Sequence, residues 1–290
     1  MSEAFVDPKV FRAEADERMT AEREETKYLI APEHVPVLVR ELAAQLPPHR
    51  FEGEGANRLP DPHHFVTTIY FDTASRAHYR AAVLDQEHNV KVRAKEYYDL
   101  HPSLAELATN PAQIVRYQPW VWFEIKRREG PRTLKRRFRL PKRHVPEFFA
   151  GGHLVPEALV QPGAGQSTEE EDLREVVKYC SSLEEPLTAS ALVNYRRLSF
   201  QDRLGALRVT LDLGLSFYAP PADLWSRAHA LVRSTLGPSC GGSRQAVLEV
   251  KRRAACPAWL KRVLEGAGDT VPFSKFVAAS AAVHGETRTR

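Results

Sequence analysis

Lys91, Arg93 and Lys95 stand two residues apart, and so do Lys135, Arg137 and Arg139. The same spacing relates Glu124, Lys126 and Arg128, then Arg23, Glu25 and Lys27, and finally Glu249 and Lys251. Side chains two apart on a β-strand share a face, so five stretches would each offer a charged, mostly cationic face. Such faces can bind anions. Lysine supplies a point charge, and arginine's planar fork matches the oxygens of phosphate. Gathering them without a ligand is costly, because two like charges about 6 Å apart at an effective dielectric near 20 repel by ~3 kcal/mol. One such strand would read as an edge guarded by lysine, whereas five suggest a sheet curled around something strongly negative. The alternative is a solvated face whose acidic partners lie on neighbouring strands.

The elements that must position these residues are legible from periodicity. Strands are expected at 23–30, 67–71, 89–98, 121–126, 133–140, 190–201, 207–213 and 246–251. Val90, Val92, Ala94, Val121, Phe123, Ile125, Leu134 and Phe138 supply an apolar opposite face for helices to cover. Pro32 opens a helix with Val35, Leu38, Val39, Leu42 and Leu46 at helical spacing, ended by Pro47 and Pro48. Further helical patterns fall near 144–150, 169–181, 258–265 and 273–283, and a short one runs through Tyr79 with Asp72 and Thr73 as its cap. The stretch 151–168 reads as a surface loop and 101–119 as an insertion between strands. The fold class is therefore α+β. Residues 1–20 form an arm or short helix, 21–285 a single domain and 286–290 a tail, because a division anywhere between 23 and 253 would split the basic constellation.

Composition narrows the classes. The 290 residues are 43% hydrophobic, enough for a core, and the net charge of +4 is small beside 41 basic and 37 acidic side chains. Placement of charge matters more than its sum. No apolar run reaches the roughly 18 residues of a membrane helix, and the first residues lack a leader pattern. Direct membrane insertion is not expected. Cys180, Cys240 and Cys256 are isolated, which fits a reducing, cytoplasmic setting. Nucleic acid is disfavoured as the polyanion because basic positions alternate with aliphatic residues instead of aromatics, Tyr97 and Tyr98 aside. His63 and His64 have no zinc spacing around them, and Gly163, Gly165 and Ser167 lack the ending of a phosphate-binding loop.

Eight motifs in order carry a resemblance: Arg23 to Tyr28, Thr68 to Thr73, Lys91-Val92-Arg93, Phe123 to Lys126, Tyr195-Arg196-Arg197, Leu207-Arg208-Val209 with Asp212, Leu248 to Lys251, and Phe273 to Phe276. Together they resemble the VTC catalytic domain, the polyphosphate polymerase of the vacuolar transporter chaperone complex. That family is similar to the triphosphate tunnel metalloenzymes, and the resemblance implies a closed antiparallel β-barrel of about eight strands around a basic tunnel, with helices packed outside. It implies phosphate-binding roles for Lys27, Lys91, Arg93, Lys126, Tyr195, Arg197, Lys251, Ser274 and Lys275, while Arg208, like Arg137 and Arg139, is either a further phosphate-binding tunnel residue or an exposed strand position. Lys91 replaces the first arginine of an R-x-R pair, keeping charge but losing the fork. Of these, Arg93, Lys126 and Arg197, together with Glu249, would be catalytic.

The resemblance further implies Mn²⁺ or Mg²⁺ held by Glu249, with ATP and inorganic polyphosphate as partners. Glu25 and Glu124 are either second metal ligands or, as the favoured reading, counter-ions to the lysines two residues away. Arg23 stands where hydrolytic relatives carry the first glutamate of Glu-x-Glu-x-Lys, which shifts the expectation towards synthesis. A triphosphate hydrolase and a non-catalytic polyphosphate-binding module are the alternatives. The polymer is expected to thread out past Lys27 and Lys275, and a membrane-protein partner encoded separately is compatible with this chain.

Overall fold

Alternating charge and aliphatic side chains leave each strand one polar and one apolar face, and burying the second determines the architecture. The structure is a computed structural model in which residues 24–49, 63–98, 119–130, 132–150, 159, 166–227 and 230–286 are described. The expected arm, Arg23, most of the 101–119 insertion, nearly all of the 151–168 loop, the His63 and His64 side chains and residues 287–290 lie outside them. Nine strands form one antiparallel sheet: β1 (Glu24–Ile30), β2 (His63–Asp72), β3 (His88–Tyr98), β4 (Trp120–Glu129), β5 (Arg132–Pro141), β6 (Thr188–Gln201), β7 (Leu207–Tyr218), β8 (Gly241–Ser243) and β9 (Ala246–Arg252). Their order is β1-β9-β7-β6-β2-β3-β4-β5, with β8 paired to β7. The helices are α1 (Val35–Gln45), α2 (Ala77–Leu84), α3 (Val145–Phe149), α4 (Gln166–Ser181), α5 (Ala258–Glu265) and α6 (Lys275–His284). Helix α4 starts inside the expected loop.

The sheet is curled into a barrel. Strands β1 and β4 are six places apart, which in a flat sheet would separate them by about 29 Å. Yet Lys126 of β4 reaches Glu25 of β1 at 3.6 Å. The charged faces therefore point inward. The apolar faces point outward, so the barrel's main core lies between its wall and its helices. Ile69, Phe71, Val92, Ala94, Phe123, Phe138 and Leu140 pack against Val145 and Phe148 of α3 and Leu173 and Val176 of α4. Tyr28, Leu198, Phe200, Val209, Leu211 and Leu248 pack against Leu38 and Leu42 of α1 and Leu260 of α5. At the start of α2, Asp72 is fully buried and accepts the backbone N–H groups of Thr73, His78 and Tyr79 at 2.9 Å, so the expected cap is present.

Among the described residues, β1 and β5 are not hydrogen-bonded to each other, and each outer edge finds another partner. Backbone N–H groups of β5 are accepted by carboxylates one helical turn apart on α4, Arg137 N–H by Asp172 at 2.9 Å and Arg139 N–H by Glu169 at 3.1 Å. The carbonyl of Lys27 on β1 accepts Val271 N–H at 2.8 Å. Covered edges are protected from pairing with another chain.

One end of the bore is filled. Gly214 takes φ +57 at a bulge opposite β6, and the parity change turns Leu215 and Phe217 inward. With Val66, Tyr70, Ala191, Val193 and Val247 they enclose Phe276 and Ala279 of α6. Such an apolar stopper offers phosphate oxygens no donor. The β7 extension and β8 were not anticipated, because their Gly- and Ser-containing segments lack β-branched runs.

Asp172 also binds buried Arg136 at 3.2 Å, with Glu171 farther off at 4.0 Å, so Asp172→Ala would both weaken the pairing of a buried charge and strand an edge N–H. The expected loss is about 3 kcal/mol in thermal or urea unfolding, with partial recovery in Asp172→Asn. An unchanged midpoint in Asp172→Ala would refute this account of the edge.

Candidate functional site

The bore is a lattice of charges set by strand register. Across β3, β4 and β5, Lys91 faces Lys126, which faces Lys135, and one step along the strands Arg93 faces Glu124, which faces Arg137. Across β1, β9 and β7, Glu25 faces Lys251, which faces Arg208, and Lys27 faces Glu249, which faces Thr210. Asp212 of β7 faces Arg197 of β6. Residues remote in sequence thereby share one lumen.

Two fully buried carboxylates organise it. Glu124 meets Arg93 at 2.7 Å, Lys135 at 2.9 Å, Lys95 at 3.4 Å and Arg137 at 3.7 Å. Burial alone would raise its pKa, but Arg93 and the other three cations hold it well below the usual carboxylate range. Asp212 takes Arg197 through two contacts, at 2.6 and 2.8 Å, and Lys275 at 2.5 Å. Here too burial is outweighed by Arg197 and Lys275, which lower the carboxyl. Both acids are spoken for. They fix the directions of Arg93 and Arg197 without neutralising the surrounding cations.

Tyr195 is buried and lies beneath Arg197 and Lys275, whose charged groups are 5.5 and 5.1 Å from its ring centre. Ser274 is the N-cap of α6, its Oγ accepting Val277 N–H at 3.4 Å, with Lys275 at the first helical position. Arg208 stands apart from the two buried acids, its Nε donating to Gln201 at 2.5 Å. Lys251 binds Glu249 and also approaches Glu25 at 3.8 Å, while Lys27 meets Glu25 at 3.2 Å. Thus every sequence-derived site residue has an inward place on the wall or on the segment leading into α6.

Glu25 and Glu249 lie close enough for each charge to disfavour the other's ionised form, yet burial and that repulsion are overcome in Glu25 by Lys126, Lys251 and Lys27. Burial of Glu249 is likewise overridden, by Lys251, Lys27 and Arg197. Such a carboxylate pair suits a hard divalent cation that completes its shell with phosphate oxygens. Glu124 does not suit one, being enclosed by four cations. Among the described residues no set of three or more His, Cys, Asp or Glu side chains could close around a metal without a ligand's help.

Sequence reasoning passed over Lys95, Lys135 and Asp212 as site residues, although period-two alternation places all three on inward faces. It also missed an aromatic patch. Arg137 lies 3.6 Å from the Trp122 ring centre and 5.7 Å from that of Tyr97, and Trp120 meets Trp122 edge-on at 5.8 Å. By register Trp122 and Tyr97 share the inward face of Glu124 and Lys95.

Among the described residues Lys91 makes no ion pair, and its cross-strand neighbour is another cation, Lys126. Burial, then Lys126, Lys27, Arg93 and Arg128, push it down to about 7. Between that value and the ordinary lysine range the unfolded chain holds more protons, so this group makes stability rise with pH there. A bound phosphate reverses the preference by favouring charged Lys91. Tripolyphosphate binding at pH 8 is therefore expected to take up protons and to weaken as pH rises, measured calorimetrically in buffers of different ionisation heat. Lys91→Met should reduce the uptake; equal uptake in both proteins would contradict the assignment.

The VTC domain family model matches residues 22–284, spanning every described element. No curated protein matches the chain. Among solved structures, a candidate adenylate cyclase from Bacillus halodurans is similar at 12% identity with a TM-score of 0.46, covering 89% of this chain and 97% of that one. A candidate adenylyl cyclase from Hippeastrum, described with a dominant triphosphatase activity, gives 13% identity, a TM-score of 0.44 and coverage of 91% and 97%. Both likenesses are remote. Among the described residues no helix is long and apolar enough to cross a membrane.

Proposed function

We propose, for a chain that belongs to the VTC domain family, that the bore is the active site of a metal-dependent polyphosphate polymerase which transfers the γ-phosphate of ATP to a growing chain. The observation that carries this reading is the surplus of fixed cations around Glu124 and Asp212. Phosphoryl transfer asks mainly for positioning and charge neutralisation, because charge spreads over the oxygens of the moving group. Arg93, Lys126 and Arg197 would bind the transferred phosphate, with Lys27, Lys91, Lys251 and Lys275 along the chain. Glu249, with Glu25, would hold Mn²⁺ or Mg²⁺, which when bound supplies further neutralisation of phosphate oxygens.

The terminal phosphate of the acceptor chain attacks the γ-phosphorus and nucleoside diphosphate leaves. That oxygen is already largely ionised near neutral pH, so no general base is required. Hydrolysis would need a water-activating base, and Glu124, held by four cations, is unsuited to accept a proton. The Trp122 and Tyr97 patch supports a nucleotide in place of inorganic triphosphate, because bases stack on aromatic rings and on guanidinium planes. A cytoplasmic setting and a separately encoded membrane partner remain compatible with this reading.

Purified protein given ATP with Mn²⁺ or Mg²⁺ should make acid-labile polymer, read together with released phosphate. Arg93→Ala and Glu249→Gln should each lower synthesis at least about 100-fold. Full synthesis in both variants would remove the bore from the chemistry, and phosphate release outrunning polymer would favour hydrolysis. Trp122→Ala should weaken ATP binding about tenfold while leaving tripolyphosphate binding near its starting value. Equal weakening of both ligands would deny the patch a role in base recognition.

A further inference from the structure

A second cationic site lies outside the bore, where β7 leaves β9 and pairs instead with β8. Gly214, Ser216, Arg233, Gly242, Ser243 and Arg244 line an open depression there of about 540 Å³. Its distinguishing feature is how Arg233 is held. The Nε of Arg233 donates to Asn194 Oδ1 at 3.0 Å and its Nη2 donates to the carbonyl of Gly214. Asn194 is buried and in turn donates to Thr67 Oγ1 at 2.9 Å, and that hydroxyl donates to the carbonyl of Leu231 at 2.5 Å. Every acceptor in this chain of bonds is neutral. Arg93, Arg136, Arg139 and Arg197 are held as firmly, but each of them has a carboxylate.

Arg233 is thus oriented in advance, exposed, and without an ion pair among the described residues. Arg244, also exposed, makes no ion pair with any described residue, and no carboxylate lines the depression among the described residues. Ser216 lines the depression with the two forks. Close approach of backbone forms the floor, since a Cβ on Gly242 would come within 2.5 Å of the Leu215 carbonyl oxygen. Two guanidinium groups, one immobilised without a counter-ion among the described residues, match the oxygens of a phosphate better than any neutral ligand.

We propose that this depression is an accessory phosphate-binding site, separated from the bore by buried Leu215 and Val247. Its ligand is either free inorganic phosphate or the phosphate groups of an inorganic chain. The assignment does not depend on the bore being a polymerase, and the two are tested apart.

Calorimetric titration of the full chain with tripolyphosphate should resolve two classes of site. Arg93→Ala should remove one of them, and the Arg233→Ala, Arg244→Ala double variant should weaken the other at least about tenfold. A single class abolished by Arg93→Ala, or two classes surviving in the folded double variant, would overturn the proposal. If loss of Arg233 unsettles the fold, Ser216→Glu, which adds negative charge at the depression's wall, gives the same test with the Arg233 network intact. It should abolish the accessory class, and undisturbed binding would refute the site. Titration with orthophosphate separates the sources: comparable affinity assigns free phosphate, whereas marked preference for tripolyphosphate assigns a chain.

Discussion

The bore depends on two buried carboxylates that are too few for the cations around them. Glu124 holds four cationic side chains and Asp212 two, and without them Arg93, Lys95, Arg197 and Lys275 would repel one another in a poorly hydrated space. With them, the cations are fixed in direction and still carry net positive charge. This arrangement separates two tasks that one acid could not perform together. An acid that fully neutralised its partner would stabilise the wall and abolish the anion site, whereas one shared among several cations orients all of them.

That constraint explains the inverted architecture. A barrel whose lumen is charged cannot place its main hydrophobic core inside, so apolar side chains of the same strands face outward and need cover. Helices α1, α3, α4 and α5 provide it. The seam follows from the same logic. Carboxylates of α4 occupy the free N–H groups of β5, and the segment before α6 occupies the edge of β1, so curvature and coverage replace a complete ring of backbone pairing. At the α6 end the lumen turns apolar, after the Gly214 bulge changes which side chains face inward.

Much of this was legible before the structure. Period-two charge identified the wall strands and the inward side of each, because β alternation is strict wherever one face is buried. Lys91, Arg93, Lys126, Glu249 and Lys251 follow directly. The closed barrel of about eight strands was expected as well, although its seam was not. What escaped reading depends on three-dimensional neighbours. Glu124 is the hub of four cations because β3 and β5 flank β4, and Asp212 acquires Lys275 because α6 turns back into the barrel. No spacing in the chain encodes either meeting. Trp122 was passed over for a different reason: beside Phe123 an aromatic residue reads as packing, although alternation with Glu124 and Lys126 already puts it on the inward face, as the register with Lys95 bears out.

The same surplus charge links binding to stability. An empty bore retains repulsion among Lys91, Lys126, Lys27 and Arg93, and the protein relieves part of it by letting Lys91 lose its proton near neutrality. A phosphate ligand relieves it more fully, because anionic oxygens interact with every cation in reach. The folded state therefore gains from the ligand what the unfolded chain, with its lysines spread through water, does not. By mass action, saturation at about 100 times the dissociation constant adds about 2.7 kcal/mol to folding stability. Rising salt weakens the exposed rim charges first and the buried Glu124 and Asp212 clusters least, since screening falls with burial. Ligand affinity is consequently more sensitive to ionic strength than the wall that creates it, which lets one set of charges be at once a durable scaffold and a tunable anion site.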